Sequence, residues 1–280
     1  MKRVLLPTDF SENAWNAIAY AVQLLEEEDC KFYILNTYTP VIYHLEYVLV
    51  NPAQFGIGDP IRENSERCLQ AVKERAQNTF KNTKHSFECI AAFNTLIPEI
   101  KEIIDQKNID LIVMGTTGAT GAKEVLFGSN TVHVFKAVNC PVLAIPADFS
   151  YENPLEILFP TDFELAFKPK HTSLLADLAQ HFHSRIHIMH VFKVDQLTEE
   201  QEKHKKDLKN LLSESTIMFN DLEEQSVAEA VSNFQLKWKI NLLAMINNKH
   251  SFFDNLFFRS NISQIGFHLN VPFLVIPAGL

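Results

Sequence analysis

Cysteine is scarce in this chain: four in 280 residues, at Cys30, Cys68, Cys89 and Cys140. No two are spaced as a CxxC pair, so a zinc knuckle and a thioredoxin-like motif are excluded. Few, scattered thiols fit a reducing compartment, and the cytoplasm is the expected location. Basic charge is also short, with 25 Lys and Arg against 34 Asp and Glu and a net charge of −9. Nucleic-acid binders carry a basic stripe. The densest basic run here, Lys203 to Lys209, follows Glu202 and is broken by Asp207, so it reads as a solvated helix face. Long apolar runs are missing as well. Three apolar residues separate Met1-Lys2-Arg3 from Pro7. That is too few for a signal-peptide core, and no run approaches a membrane span. With 46% hydrophobic and 21% charged residues, the chain has the composition of a folded globular protein rather than a disordered one.

Common catalytic signatures are absent too: there is no GxSxG elbow, no HExxH, no Cys-His pairing and no Walker A loop. His181, His183, His187 and His190 are close in sequence, but their spacing fits no zinc template. His187 and His190 fall on opposite faces of an expected strand, as side chains there alternate. Glu99, Glu102 and Asp105 share a predicted helix and read as solvated.

What the chain does contain is a repeat of itself. Val4-Leu-Leu-Pro-Thr-Asp9-Phe returns as Ile157-Leu-Phe-Pro-Thr-Asp162-Phe. Asp110-Leu-Ile-Val-Met114 returns as Asn241-Leu-Leu-Ala-Met245, and Cys140-Pro-Val-Leu-Ala-Ile-Pro146 as Val271-Pro-Phe-Leu-Val-Ile-Pro277. The last two pairs share one offset, so the final third of each half aligns without a gap. Two domains are expected, 1–147 and 154–280, with the polar stretch from Ala147 to Pro154 between them.

The first half reads as strands over Arg3–Leu6, Lys31–Tyr38, Ser86–Ala92, Leu111–Met114 and Pro141–Ile145. Helices are expected after Ser11, from about Pro60 to Asn78, over Thr95–Gln106 and over Ser129–Val138. The second half repeats strands near Glu156–Phe159, Arg185–Val191, Thr216–Phe219, Leu242–Met245 and Phe273–Ile276. Apolar strands alternating with amphipathic helices predict an α/β fold of two Rossmann-like domains, each a five-stranded parallel sheet with helices on both faces.

Ligands of such sheets bind beyond the carboxyl ends of the strands. The loop after the fourth strand carries Gly115-x2-Gly118-x9-Gly128-Ser129. Glycines 115 and 118 are expected to let the backbone turn tightly and approach a ligand. Gly128-Ser129 opens a helix whose free N–H groups favour a phosphate, with the Ser129 and Thr131 hydroxyls as further donors.

With Pro7-Thr8-Asp9-Phe10-Ser11 and Cys140-Pro141-Val142, this spacing resembles the ATP-binding branch of the universal stress protein family. The resemblance is to a tandem two-domain member with an adenine nucleotide alpha hydrolase-like fold. It implies an adenine-nucleotide site made of Pro7, Thr8, Asp9, Thr37, Met114, Gly115, Thr117, Gly118, Gly128, Ser129, Asn130 and Thr131. Asp9 would sit by the adenosine and Thr37 would offer backbone groups to adenine. Gly115, Thr117 and Gly118 would line the ribose and phosphates, and Gly128, Ser129 and Asn130 would cradle the phosphates. The ligand would be ATP, ADP or AMP. One departure is that no Arg lies between Gly115 and Gly118, and Lys123 is the only cation in the loop. A divalent cation such as Mg or Mn could supply charge, although no ligand cluster is visible.

In the second half Gly115, Gly118 and Gly128 are replaced by Ile246, Lys249 and Arg259, while Ser260 and Asn261 are kept. Phe252, Phe253, Phe257 and Phe258 add bulk there. The expected function is a stress-response protein that binds ATP in its first half as a sensor or regulatory ligand. Its halves would pair through their fifth strands, with a homodimer of the whole chain left open. The competing readings are an interaction scaffold without nucleotide, and a slow ATPase or autophosphorylating enzyme.

Overall fold

The structure is a computed structural model that describes residues 1–39, 58–116, 128–192, 197–223, 227–248 and 270–280. The first half contains β1 (Lys2–Pro7), α1 (Glu12–Leu24), β2 (Cys30–Tyr38), α2 (Gly58–Phe80), β3 (His85–Phe93), α3 (Leu96–Lys107), β4 (Leu111–Gly115), α4 (Ser129–Ala137) and β5 (Val142–Ile145). The second contains β6 (Glu156–Pro160), α5 (Pro169–Phe182), β7 (Arg185–Phe192), α6 (Glu199–Leu211), β8 (Thr216–Glu223), α7 (Val227–Trp238), β9 (Leu242–Asn247) and β10 (Phe273–Pro277).

All ten strands form one sheet in the order β3-β2-β1-β4-β5-β10-β9-β6-β7-β8. The two halves are tandem Rossmann-like units, each with five parallel strands. Their registers repeat: Val4 faces Leu111 and Leu5 faces Ile112, as Ile157 faces Leu242 and Leu158 faces Leu243. Where they meet, β10 runs antiparallel to β5, with Leu274 opposite Leu143. The carboxyl ends of the two sets of parallel strands therefore lie at opposite ends of the sheet.

Strand side chains alternate between two buried layers, as the period of two requires. Val4 and Leu6 belong to one buried layer, which also holds Ala17 and Ile18 of α1, Leu69 of α2, Leu178 of α5 and Leu208 of α6. Leu5 belongs to the layer on the other face, with Ile100 of α3, Val134 of α4 and Val231 of α7. Both layers run through both halves.

Most of the shortening of the second half falls in one place. In the first half β2 ends at Tyr38 and α2 runs 23 residues from Gly58; in the second, β7 ends at Phe192 and α6 runs 13 residues from Glu199. The basic run on α6 is not wholly solvated, because His204 and Leu208 are buried. Glu102 and Asp105 are exposed on α3 as expected, whereas Glu99 is half-buried and accepts a hydrogen bond from Asn94.

Candidate functional site

The turn after β1 is built by local hydrogen bonds. The Thr8 N–H donates to the Leu35 carbonyl at 2.8 Å, and Thr8 Oγ1 accepts from the Phe10 N–H at 3.0 Å. Phe10 sits at φ 66°, a left-handed conformation uncommon outside glycine. Asp9 Oδ1 accepts from the Ser11 N–H and hydroxyl at 3.1 and 2.6 Å. Ser11 then caps α1 by accepting from the Ala14 N–H. The turn is copied after β6: Thr161 Oγ1 accepts from the Phe163 N–H, Asp162 Oδ1 from the Glu164 N–H, and Phe163 has φ 56°.

Residue Thr37 lies where β2 outruns β1, whose pairing ends at Pro7 opposite Leu35. In a parallel ladder Thr37 presents its N–H and C=O to the same side as Leu35. That side is the one β1 has left, so these groups border the opening.

At the other wall stands the start of α4. Gly128 is its N-cap, with φ −60°, and offers no side-chain cap. The first-turn N–H groups of a helix have no partner within it. Here they belong to Ser129, Asn130 and Thr131, and the helix dipole favours an anion beside them. The helix start is fixed to the end of β4: the Gly128 N–H donates to the Thr116 carbonyl at 2.6 Å, and Thr131 Oγ1 donates to the carbonyls of Gly115 and Thr116 at 3.0 and 3.3 Å. The Thr131 hydroxyl, expected as a ligand donor, is thus used within the protein. Thr131 is 2% exposed, while Ser129 and Asn130 are exposed.

The role of Gly115 also differs from expectation. It is the last residue of β4, in register with Ile145, rather than a left-handed turn residue. A Cβ there would lie 2.6 to 3.0 Å from the Asn13 side chain. The Asn13 side chain of α1, not backbone curvature, occupies the space, so a side chain at 115 requires Asn13 to shift.

These elements enclose a cleft of about 260 Å³ lined by Pro7, Thr8, Asp9, Ala14, Asn36, Thr37, Leu96, Met114, Gly115, Gly128, Ser129, Asn130 and Thr131. Ten of the twelve expected site residues stand together there. Thr117 and Gly118 lie outside the described residues, as does Lys123. Ala14, Asn36 and Leu96 were not expected. Asn36 donates to the Thr8 carbonyl at 2.8 Å and accepts from the Ser65 hydroxyl at 2.7 Å, so it ties the turn to α2. Among the described residues, no group of three or more His, Cys, Asp or Glu could hold a metal ion, and no helix is long and apolar enough to cross a membrane.

The cleft lies at the carboxyl edge of a doubly wound half, and one wall is a helix N-terminus whose N-cap residue, Gly128, has no side chain to cap it. The sequence profile of the universal stress protein family matches residues 1–146. The chain belongs to the universal stress protein family. Universal stress protein MJ0531 of Methanocaldococcus jannaschii is 30% identical over 151 residues, which cover 51% of this chain and 81% of the relative. Universal stress protein MJ0577 of the same organism is 30% identical over 154 residues, or 51% and 94% of the two chains. A crystal structure of a universal stress protein from Archaeoglobus fulgidus superposes on 99% of this chain and 98% of its own, with a TM-score of 0.69 and 16% identity. That last likeness concerns the fold.

The corresponding edge of the second half of this universal stress protein is tied differently. Gln201 of α6 donates to the Asp162 carbonyl and the Glu164 carboxylate, both at 3.0 Å, and His204 Nδ1 donates to the Phe163 carbonyl at 2.7 Å. His190 stands at the strand end equivalent to Asn36, with Nδ1 3.7 Å from an Asp221 oxygen. Burial pushes its pKa down against the pull of Asp221. His187 faces the other layer, where Nε2 meets Glu156 at 2.7 Å and the ring packs on Phe234 and Trp238. The residues replacing the loop glycines at 249 and 259, the kept Ser260 and Asn261, and the phenylalanines from 252 to 258 lie outside the described residues. Ile246 is half-buried against the core.

Proposed function

We propose that this universal stress protein binds an adenine nucleotide, with ATP as the first candidate, in its N-terminal half, as a sensor or regulatory ligand in the stress response. The observation that carries this reading is the convergence of three features on one cleft. They are the uncapped N-terminus of α4, the backbone edge of Thr37 and the carboxylate of Asp9. The helix start suits phosphate, Thr37 offers a donor and an acceptor to a base edge, and Asp9 suits a ribose hydroxyl. The G-x2-G-x9-G-S spacing supports the same assignment for Thr117 and Gly118. The site is read as passive: one exposed carboxylate is a poor general base for γ-phosphate attack. Charge compensation for a triphosphate falls to Lys123 or to a divalent ion held mainly by the phosphates.

In this proposal residues 1–147 and 154–280 are two domains, and the second serves the first as a built-in partner through the fifth strands. Covalent joining keeps their effective concentration high. The working compartment is taken to be the cytoplasm.

Thermal unfolding with ATP, ADP, AMP and no ligand tests the proposal. A ligand at a hundred times its Kd adds about 2.7 kcal/mol, or roughly 5 °C in a chain of this size. Gly128→Val and Ser129→Asp should abolish the shift. No shift with any nucleotide would leave the scaffold reading in its place, and phosphate release matched by an Asp9→Ala control would revive the enzyme reading.

A further inference from the structure

Helix α4 reaches the cleft with its first residues and the second half of the chain with its last. The Asn247 side chain, at the end of β9, donates from Nδ2 to the Phe135 carbonyl at 2.8 Å. That carbonyl belongs to the final turn of α4, where helical carbonyls have no partner within the helix. The Phe135 ring packs edge-on against Phe273 of β10, with centroids 5.7 Å apart. Asn247 itself is held by the sheet: it is in register with Pro277, and its carbonyl accepts from the Ala278 N–H at 3.1 Å. Its equivalent in the first half, Thr116, fixes the other end of the same helix through its carbonyl. The antiparallel junction explains how this is possible, since it brings the carboxyl end of β9 beside the amino end of β5 and the close of α4.

We infer that Asn247 is a positioning residue for the nucleotide site, supplying from the second half the C-terminal cap that sets the axis and depth of α4. This rests on the nucleotide reading above for its functional consequence, but not for its geometry. A short helix pinned at one end pivots about that end. Pinning the last turn as well fixes where the N–H groups of Ser129, Asn130 and Thr131 point. The second half therefore contributes to a site whose described lining comes wholly from the first.

The test uses the full chain. Amide signals of Ser129, Asn130 and Thr131 are followed by NMR without nucleotide, and ATP affinity by calorimetry. Asn247→Ala is expected to move the three amides and to weaken ATP binding by roughly threefold to thirtyfold. Asn247→Gln, which keeps a donor, should recover part of both. Asn241→Ala is the control: Asn241 precedes β9 and bonds Glu156 of β6 and Asn153 of the segment that leads into it. It should lower the melting temperature and leave the α4 amides in place. Amides that Asn247→Ala leaves unmoved, or that Asn241→Ala moves as far, would overturn the inference. Should the wild-type chain bind no ATP while the amides respond to Asn247→Ala alone, the nucleotide reading falls and the positioning role stands.

Discussion

The hydroxyl of Thr131 donates to the carbonyl of Gly115 at 3.0 Å, so the first turn of α4 is bonded to the last residue of β4 across the base of the cleft. Thr131→Val keeps the shape and removes the donor. Losing this bond to a half-buried carbonyl costs about 1 kcal/mol, read from urea denaturation. ATP binding should weaken roughly tenfold, the equivalent of about 1.4 kcal/mol. A variant with wild-type affinity would show that the helix start is set elsewhere.

The crowding of Gly115 against Asn13 gives a double-mutant cycle. Gly115→Ala alone should cost about 1–3 kcal/mol, the usual range for overpacking. In an Asn13→Ala background the cost should fall below about 0.5 kcal/mol, since the added methyl then fills vacated space. Additive losses would place the strain elsewhere.

Acid should destabilise the second half through His171. Its Nδ1 accepts the Lys168 N–H and its Nε2 donates to the Ala278 carbonyl, so the ring must be neutral. Burial pushes its pKa below the ordinary 6.5, against the opposing effect of the Ala278 carbonyl. The unfolded chain therefore takes up the proton first. The stability this ring contributes is complete above about pH 6.5 and is lost as the pH falls toward the lowered folded value. Asn16 does the same work in the first half with an amide, donating to the carbonyls of Pro146 and Phe149. His171→Asn should accordingly flatten the fall in urea midpoint between pH 7.5 and 5.5. Part of the slope remains with His190, whose pKa is lowered by burial in the same direction.

Thiol labelling should divide the cysteines. Burial pushes Cys30 and Cys140 up to about 12, and Cys89 is raised for the same reason. Cys68, half-buried on α2, should react first with a disulfide reagent at pH 8, and Cys30 and Cys140 only on unfolding. Equal rates at all four positions would contradict the packing described.

The strand cores and the repeat were legible because they rest on short-range patterns. Val4-Leu5-Leu6 and Ile157-Leu158-Phe159 are apolar on both faces, and a buried parallel strand demands that. The glycine spacing likewise located one wall of the cleft. Residues whose role depends on partners far along the chain were not legible. Asn36 matters through Thr8 and Ser65, Thr131 through Gly115, and Gly115 through Asn13. None of those pairings has a sequence period. The left-handed Phe10 and Phe163 were hidden for a related reason: a threonine hydroxyl two residues earlier accepts the phenylalanine N–H and stabilises a conformation that propensity argues against.

The pairing of β5 with β10 has a consequence for assembly. Strands β5 and β10 each have sheet neighbours on both sides, so among the described residues the outer strands of the sheet are β3 and β8. A second copy cannot join through the fifth strands without breaking that pairing. The β5–β10 seam is made within one chain, so neither of these strands offers a free hydrogen-bonding edge to another.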